Sequence, residues 1–224
     1  MKNLLTAIVI FSSVICFLPS CKNENAPAMK KEEPVPMPPA SEPDTKDMSK
    51  MNDEMMKSMQ GSMSKMMDMK MTGDFDLDFA TMMIMHHQAA IDMSTVQLTR
   101  GTDAQIRSMS QNIITAQKAE IAQMQQFVSN HKMSDSKHEH GEMHNELAET
   151  MKMMQDTMMS MHMSGNPDKD YVVMMIPHHE SAITMAEEEL EHGKSLEMKK
   201  LAQSIIISQK KEIMDFTTWF TRNK

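Results

Sequence analysis

The sequence predicts an all-helical protein built from an internal duplication. No stretch of strand length alternates apolar and polar residues, and no hairpin dipeptide separates two apolar runs. Residues 48–127 align without a gap on residues 140–219, and 19 of the 54 positions from Asp74 to Phe127 are identical in the second copy. Repeated units of this kind adopt the same structure and pack together. We therefore expect two equivalent sets of helices in one bundle, with additional Met-rich helices.

The chain begins with a predicted lipoprotein signal peptide, residues 1–20. Lys2 precedes an apolar run that ends at Leu18 and is too short to cross a membrane and remain there. Cys21 follows in the position of the cysteine that is lipidated in bacterial lipoproteins. Residues 21–47 are rich in proline, glutamate and lysine without an apolar period, which predicts a disordered tether. The expected location is the bacterial cell envelope, in the periplasm or at the outer membrane, with a lipid anchor.

Each copy is predicted to form three helices. The first is Met-rich, from Met48 to Met71 within a unit of residues 48–73, and its counterpart runs from His140 to Met163. The second and third helices are predicted over residues 76–100 and 103–129 in the first copy, and 168–192 and 195–222 in the second. Acidic residues suit the helix starts, and glycines suit the ends, at Gly73, Gly101, Gly165 and Gly193. The duplicated bundle spans residues 74–222, in which units 74–129 and 166–222 are joined by a His- and Met-rich segment, 131–165.

The composition points to chemistry that favours methionine. The chain has 33 methionines against 1 Trp, 1 Tyr and 7 Phe. Methionine is flexible and specifies a core poorly, so packing alone does not account for this choice. A net charge of −8 disfavours nucleic acid as a partner. The other cysteine of the chain lies in the signal peptide, so catalysis by a thiol is excluded after processing.

A pair of adjacent histidines flanked by methionines occurs at the same place in both copies. On a helix, residues three, four and seven apart share a face, so Met82, His86 and Met93 align on one side. The candidate metal ligands are Met82, Met83, His86, His87 and Met93 in the first copy and Met174, Met175, His178, His179 and Met185 in the second. Neutral imidazole and thioether suit Cu(I), or Ag(I), because soft sulfur selects soft ions. A histidine that only packs in the core explains one such pair more simply, but the repetition favours a metal site.

A carboxylate interrupts the apolar stripe of each third helix. Glu120 takes an apolar position in a seven-residue row that ends at Phe127, and Glu212 holds the same place in the second copy. A buried carboxylate needs a partner, because an unpaired charge is costly away from water. We expect both glutamates to orient imidazole N–H groups of the metal ligands, with Gln117 and Gln209 in support. A partly exposed glutamate at the edge of the stripe is the alternative.

The Met-rich helices offer further thioethers at intervals of one helical turn. The auxiliary metal ligands predicted here are Met51, Met55, Met59, Met151, Met158 and His162. The same methionines are also compatible with ordinary packing, with a pliable surface for a partner or with reversible oxidation to sulfoxide.

The doubled motif resembles that of the family named domain of unknown function 305. The hallmark Met-Met-Ile-Pro-His-His, followed by Ala-Ile-x-Met, is matched at residues 82–87 and 90–93 and again at 174–179 and 182–185, with Met85 in place of the first proline. A later Gln-x-x-Glu-Ile element matches residues 117–121 and 209–213. The resemblance covers about residues 74–220. It implies a ferritin-like four-helix bundle and a role in binding copper or silver.

We therefore expect an exported, lipid-anchored protein that binds Cu(I) or Ag(I) for buffering, metal tolerance or transfer, and that is not an enzyme. Its partners would be the metal ion, the membrane through the lipid alone and a metal-transfer protein. One alternative is a structural or partner-binding envelope lipoprotein. Another is a di-iron carboxylate oxidase, which needs Glu-x-x-His on two helices. The chain has this motif at Glu189 and His192, but Gln97 and Arg100 occupy the equivalent positions in the first copy.

Overall fold

The computed structural model describes residues 45–132 and 143–223, and within these ranges all regular structure is helical. The six helices are α1 (Thr45–Met67), α2 (Phe75–Arg100), α3 (Ala104–Asn130), α4 (Met143–Met159), α5 (Pro167–His192) and α6 (Leu196–Arg222). This confirms the predicted all-helical fold. The predicted signal peptide, Cys21 and the tether as far as residue 44 lie outside the described residues. No helix in the described ranges combines the length and the apolar character needed to cross a membrane.

Helices α2 and α5 form the centre of the bundle and contact each other. Helix α3 packs along α2 and α6 packs along α5, so each copy contributes one antiparallel pair of helices to a four-helix core. Helix α1 lies on α2, and α4 lies on α5. The largest side chains that are fully buried include Phe79, Met82, Met93, Tyr171 and Phe216. The Met-rich helices are thus packed against the bundle and share its core.

The Met-rich helices end earlier than the sequence predicts. Helix α1 ends at Met67 rather than Met71, and α4 ends at Met159 rather than Met163. Gly73 and Gly165 lie in the turns before the next helices, with φ of 88° and 83°, which only glycine adopts readily. The turns are held by carboxylates, since Asp78 accepts hydrogen bonds from the main-chain N–H groups of Thr72 and Gly73. At its start, α1 includes residues 45–47, which were assigned to the tether.

Two buried aspartates connect the two copies. Asp168, in the first turn of α5, accepts hydrogen bonds from the main-chain N–H groups of Thr102 and Asp103 in the loop between α2 and α3. Asp76, in the first turn of α2, does the same for Lys194 and Ser195 in the loop between α5 and α6. Each copy therefore satisfies the loop amides of the other, which fixes how the two halves pack.

The partner of each aspartate differs between the copies. Gln97 donates a hydrogen bond from its amide to Asp168, whereas the equivalent residue beside Asp76 is the buried acid Glu189. Burial, together with the neighbouring Asp76 carboxylate, raises the pKa of Glu189 from 4.5 to about 9. Close approach explains the glycines that cap these helices: a Cβ on Gly101 or Gly193 would lie 2.1 Å from the Gln97 or Glu189 side chain, respectively.

Replacing Glu189 by Gln is expected to stabilise the protein, increasingly as pH rises. In the wild type the folded chain keeps the Glu189 proton to about pH 9, while the unfolded chain releases it near pH 4.5. The stability supplied by this proton is therefore complete below about pH 4.5 and is lost as pH rises through about 9. The glutamine amide does not titrate, so its contribution does not change with pH. We expect the free energy of unfolding of Glu189→Gln to exceed that of the wild type by about 1 to 3 kcal/mol at pH 8. Urea unfolding at pH 5, 7 and 9 in the presence of EDTA measures this difference.

The matched control is Gln97→Glu, which places a second carboxyl beside Asp168. It should lower the free energy of unfolding, with a loss that grows with pH. Parallel stability profiles for the wild type and Glu189→Gln would contradict the proposed protonation of Glu189.

Candidate metal centre

Four histidines meet where α2 contacts α5. His86 and His87 come from α2, His178 and His179 come from α5, and all four side chains are 0% exposed. Adjacent residues on a helix point in different directions, so each pair places one ring between the two central helices and the other toward the third helix of its own copy. The structure thus brings together the four histidines that the repeat singled out.

The rings of His86 and His178 stack across the contact between the two copies. Their centroids are 3.8 Å apart, with an angle of 37° between the ring planes. Within each copy the neighbouring histidine ring is 6.4 Å away in α2 and 6.2 Å away in α5. The four rings form one continuous buried cluster. A stacked pair leaves no room for an ion between the ring faces, so a metal would bind at the ring edges, where the nitrogens lie.

Each outer histidine contacts the predicted glutamate. The Nε2–H of His87 donates to Oε2 of Glu120 over 2.8 Å. His179 Nε2 lies 2.7 Å from Oε2 of Glu212, but the angle is not that of an aligned hydrogen bond. With its hydrogen on Nε2, His87 keeps a lone pair on Nδ1, which is buried and has no hydrogen-bond partner in the described part of the chain. This is the arrangement of a metal-binding histidine oriented by a carboxylate.

A serine and a methionine that sequence reasoning did not select complete the contacts of His86. Its Nε2 lies 2.8 Å from the hydroxyl oxygen of Ser181, and the same hydroxyl lies 2.8 Å from the sulfur of Met154 in α4. The counterparts of Ser181 and Met154 in the first copy are Ala89 and Ser62. The predicted ligands of the histidine cluster repeat in both copies, whereas Ser181 and Met154 occur in the second copy alone.

His178 has no hydrogen bond to either ring nitrogen among the described residues. Its counterpart His86 uses Ser181, but the equivalent position facing His178 is an alanine, Ala89. Burial lowers the pKa of His178 well below its usual value, and the neighbouring histidines add to the effect. Burial likewise lowers the pKa of His86. Both rings are therefore neutral at physiological pH and carry a free lone pair.

The six predicted methionine ligands all lie in the hydrophobic core. Met82, Met83, Met93, Met174, Met175 and Met185 are buried, with at most 1% exposure. The four histidines and the methionines that flank them along the chain are therefore shielded from water.

Gln117 and Gln209 were expected to support the two glutamates, and the described part of the structure shows no hydrogen bond through which they would do so. Both side chains are buried, but neither amide makes a hydrogen bond within the described residues. The reason is geometric, because Glu120 and Glu212 already occupy the Nε2 edges of the outer histidines.

The auxiliary residues of the Met-rich helices separate into two groups. Met55, Met59, Met151 and Met158 are buried, and Met59 and Met158 line a groove of about 400 Å³ between α1 and α4. A second groove of about 410 Å³ is lined by Met66, Met151 and the candidate ligand Met82. His162 is exposed beyond the end of α4, away from these methionines in the core. The side chain of Met51 lies outside the described residues.

The Glu189-x-x-His192 motif does not converge on one site. Glu189 faces Asp76, whereas His192 contacts Glu146 of α4 at 2.9 Å. The geometry expected of a di-iron centre, with both residues of the motif directed to the same ions, is not found at this motif.

Three solved structures are similar to this chain. A DUF305 fragment from Deinococcus radiodurans is 20% identical, with a TM-score of 0.50, and the match covers 66% of this chain and 96% of the fragment. CopM in the Cu(II)-bound form is 30% identical, with a TM-score of 0.49 and coverage of 66% and 97%. CopM in the Ag-bound form is 29% identical, with a TM-score of 0.48 and coverage of 69% and 98%.

The fragment supports the fold alone. No curated protein matches the chain at a significant level. The model of the family described as "Domain of unknown function (DUF305)" matches residues 24–128 and 76–220. The match extends the resemblance, which the sequence motifs place at about residues 74–220, over the Met-rich helix α1. Because the two matches together span most of the chain, the protein belongs to the DUF305 family.

Proposed function

We propose that this protein binds a soft monovalent cation, Cu(I) or Ag(I), at the buried histidine cluster. The observation that carries the proposal is the set of ring nitrogens without hydrogen-bond partners. Nδ1 of all four histidines and Nε2 of His178 are buried and unpaired in the described structure. A neutral imidazole carries hydrogen on one nitrogen and a lone pair on the other, and a bound cation would accept that lone pair.

The energetic cost of these atoms supports a functional role. A buried polar group without a partner destabilises a protein by about 1 to 3 kcal/mol. Apolar side chains of similar volume would avoid that cost, as an ordinary core does. A neutral imidazole with a free lone pair is, however, the form that binds metal without first losing a proton. The cluster is therefore poorly suited to stability and well suited to coordination.

The identity of the donors favours a soft ion. The cluster offers imidazole nitrogens together with buried thioethers, including Met154, and no thiolate. Thioethers select Cu(I) over the harder divalent ions, and Ag(I) shares this preference. The CopM structures hold Ag, Cu(I) and Cu(II), so the preference for a monovalent ion comes from the donors of this chain. The donor set of this chain carries the assignment.

The biological role proposed here is metal buffering, tolerance or transfer outside the inner membrane, without turnover of a substrate. The support lies in the sequence, in which an apolar leader precedes Cys21 and a proline-rich segment separates it from the bundle. The Met-lined grooves between α1 and α4 would add weaker sites for the same ion, which suits a buffer.

Replacing His178 by Leu is expected to weaken binding while leaving the metal-free protein intact or more stable. Leucine is close in volume and removes two unpaired nitrogens, so the free energy of unfolding without metal should rise by up to about 1 to 3 kcal/mol. The affinity for Ag(I) or Cu(I) should fall at least about tenfold, since even removal of an outer-shell partner costs this much. Urea unfolding and competition with a Cu(I) chelator measure the two effects.

The control for this experiment is His162→Leu, because His162 is an exposed histidine outside the cluster. It should change neither the tightest dissociation constant nor the stability. If His178→Leu instead destabilises the metal-free protein and binds the ions as the wild type does, the histidine is structural and the proposed site is wrong.

Replacing Glu120 by Gln is expected to lower the Cu(I) affinity about tenfold with little change in helicity. The amide keeps a hydrogen-bond acceptor for His87 but removes the negative charge that raises the basicity of the ligand. Glu187→Gln is the matched control, because Glu187 is exposed and pairs only with Lys210 among the described contacts. Equal affinities for both variants would exclude a role for Glu120 in metal binding.

The grooves can be tested separately. The double variant Met59→Leu with Met158→Leu conserves side-chain volume and removes two thioethers from the groove. It should reduce the number of Ag(I) ions bound at saturation and leave the tightest site unchanged. Isothermal titration with Ag(I) measures both quantities, and an unaltered stoichiometry would show that these methionines only pack.

A further inference from the structure

A second group of potential ligands lies at the C-terminal end of α5, where α4 begins. Glu146 of α4 and Glu188 and His192 of α5 each direct one ligand atom into a common space, and these atoms all lie within 4.8 Å of one another. Nε2 of His192 is 2.9 Å from Oε2 of Glu146. The side chain of His192 is 19% exposed and that of Glu146 is 44% exposed, so the group is accessible from solvent.

The equivalent position in the first copy lacks these three ligands. The residues equivalent to Glu146, Glu188 and His192 are Glu54, Val96 and Arg100. There, Nη2 of Arg100 lies 3.1 Å from Oε1 of Glu54, so the glutamate is paired with a permanent positive charge. Arginine is not a metal ligand, because it has no free lone pair and does not lose its proton.

The two copies balance their charges in different ways. In the first, Arg100 neutralises Glu54 within the protein. In the second, an imidazole replaces the guanidinium and Glu188 adds a carboxylate, so two acidic groups face each other around a histidine. Glu149 and Glu191 add further negative charge near Glu188. Like charges this close are relieved when one carboxyl holds a proton or when a cation lies between them.

We propose that Glu146, Glu188 and His192 form a site for a borderline divalent cation, with Zn²⁺ as the representative ion. One imidazole and two carboxylates form a ligand set of nitrogen and oxygen that suits Zn²⁺ or Cu²⁺ and disfavours Cu(I). Three protein ligands at a solvent-accessible place leave a coordination position for water. The site belongs to the second copy alone and shares no ligand with the histidine cluster.

The test is a Zn²⁺ titration of the full metal-free chain with a competing chelator, using variants that install the residues of the first copy. His192→Arg should form the same ion pair as Arg100 and Glu54, and Glu188→Val should remove one carboxylate. Each is expected to weaken one Zn²⁺ binding step at least about tenfold. Circular dichroism and thermal unfolding in EDTA should confirm that both variants fold, and Ag(I) binding should be retained.

The strongest test is to build the same site in the first copy. Val96→Glu combined with Arg100→His copies the three ligands into the first half and should add one Zn²⁺ per chain. Repeating the titration on protein loaded with Ag(I) separates this site from the histidine cluster. If Glu188→Val and His192→Arg both bind Zn²⁺ as the wild type does, the proposal is overturned. Failure to bind Ag(I) would instead contradict the histidine cluster and leave the zinc step measurable.

Discussion

The contact between α2 and α5 is the interaction on which the rest of the structure depends. It stacks His86 on His178 and excludes water from all four histidines, which would otherwise be hydrated and energetically ordinary. Burial lowers the pKa of His86 and His178, so these two rings are neutral, and it makes the unpaired ring nitrogens of the cluster costly. The surrounding packing has to compensate for that cost. The aspartates at the starts of α2 and α5 contribute, because each secures a loop of the opposite copy and so holds the two central helices together.

The duplication has preserved the fold while the chemistry of the copies has diverged. Gln97 lies beside Asp168 in the first copy, and Glu189 lies beside Asp76 at the equivalent place in the second. The ion pair of Arg100 with Glu54 in the first copy corresponds to His192 with two carboxylates in the second. The same divergence reaches the centre of the bundle, where Ser181 and Met154 serve one inner histidine and not the other. The two copies therefore have the same backbone fold but place different donor atoms at equivalent positions. A duplicated bundle can in this way present different sets of donor atoms at its centre and at its surface without altering its helices.

Methionine in this protein serves packing and chemistry together. The core methionines fill the interior of the bundle, as flexible side chains do in irregular cores. Their sulfurs are also soft donors of the kind that Cu(I) and Ag(I) prefer. Methionines of helices α1 and α4 also line the two grooves at the surface of the bundle. The abundance of methionine, which specifies a core poorly, is thus understandable if coordination as well as packing selected it.

The sequence by itself determined the helices, their pairing into two copies and the contacts of Glu120 and Glu212 with the outer histidines. These features follow from local periodicity, from capping residues and from the need of a buried carboxylate for a partner, all of which are written in one stretch of chain or its repeat. Only the tertiary structure decided that His86 and His178 stack, that Met154 joins Ser181, that Gln117 and Gln209 stay unpaired and that Glu146 approaches His192. Periodicity shows which residues share a helix face. It does not specify the rotation and distance at which two faces meet, because these depend on the packing of all side chains between them.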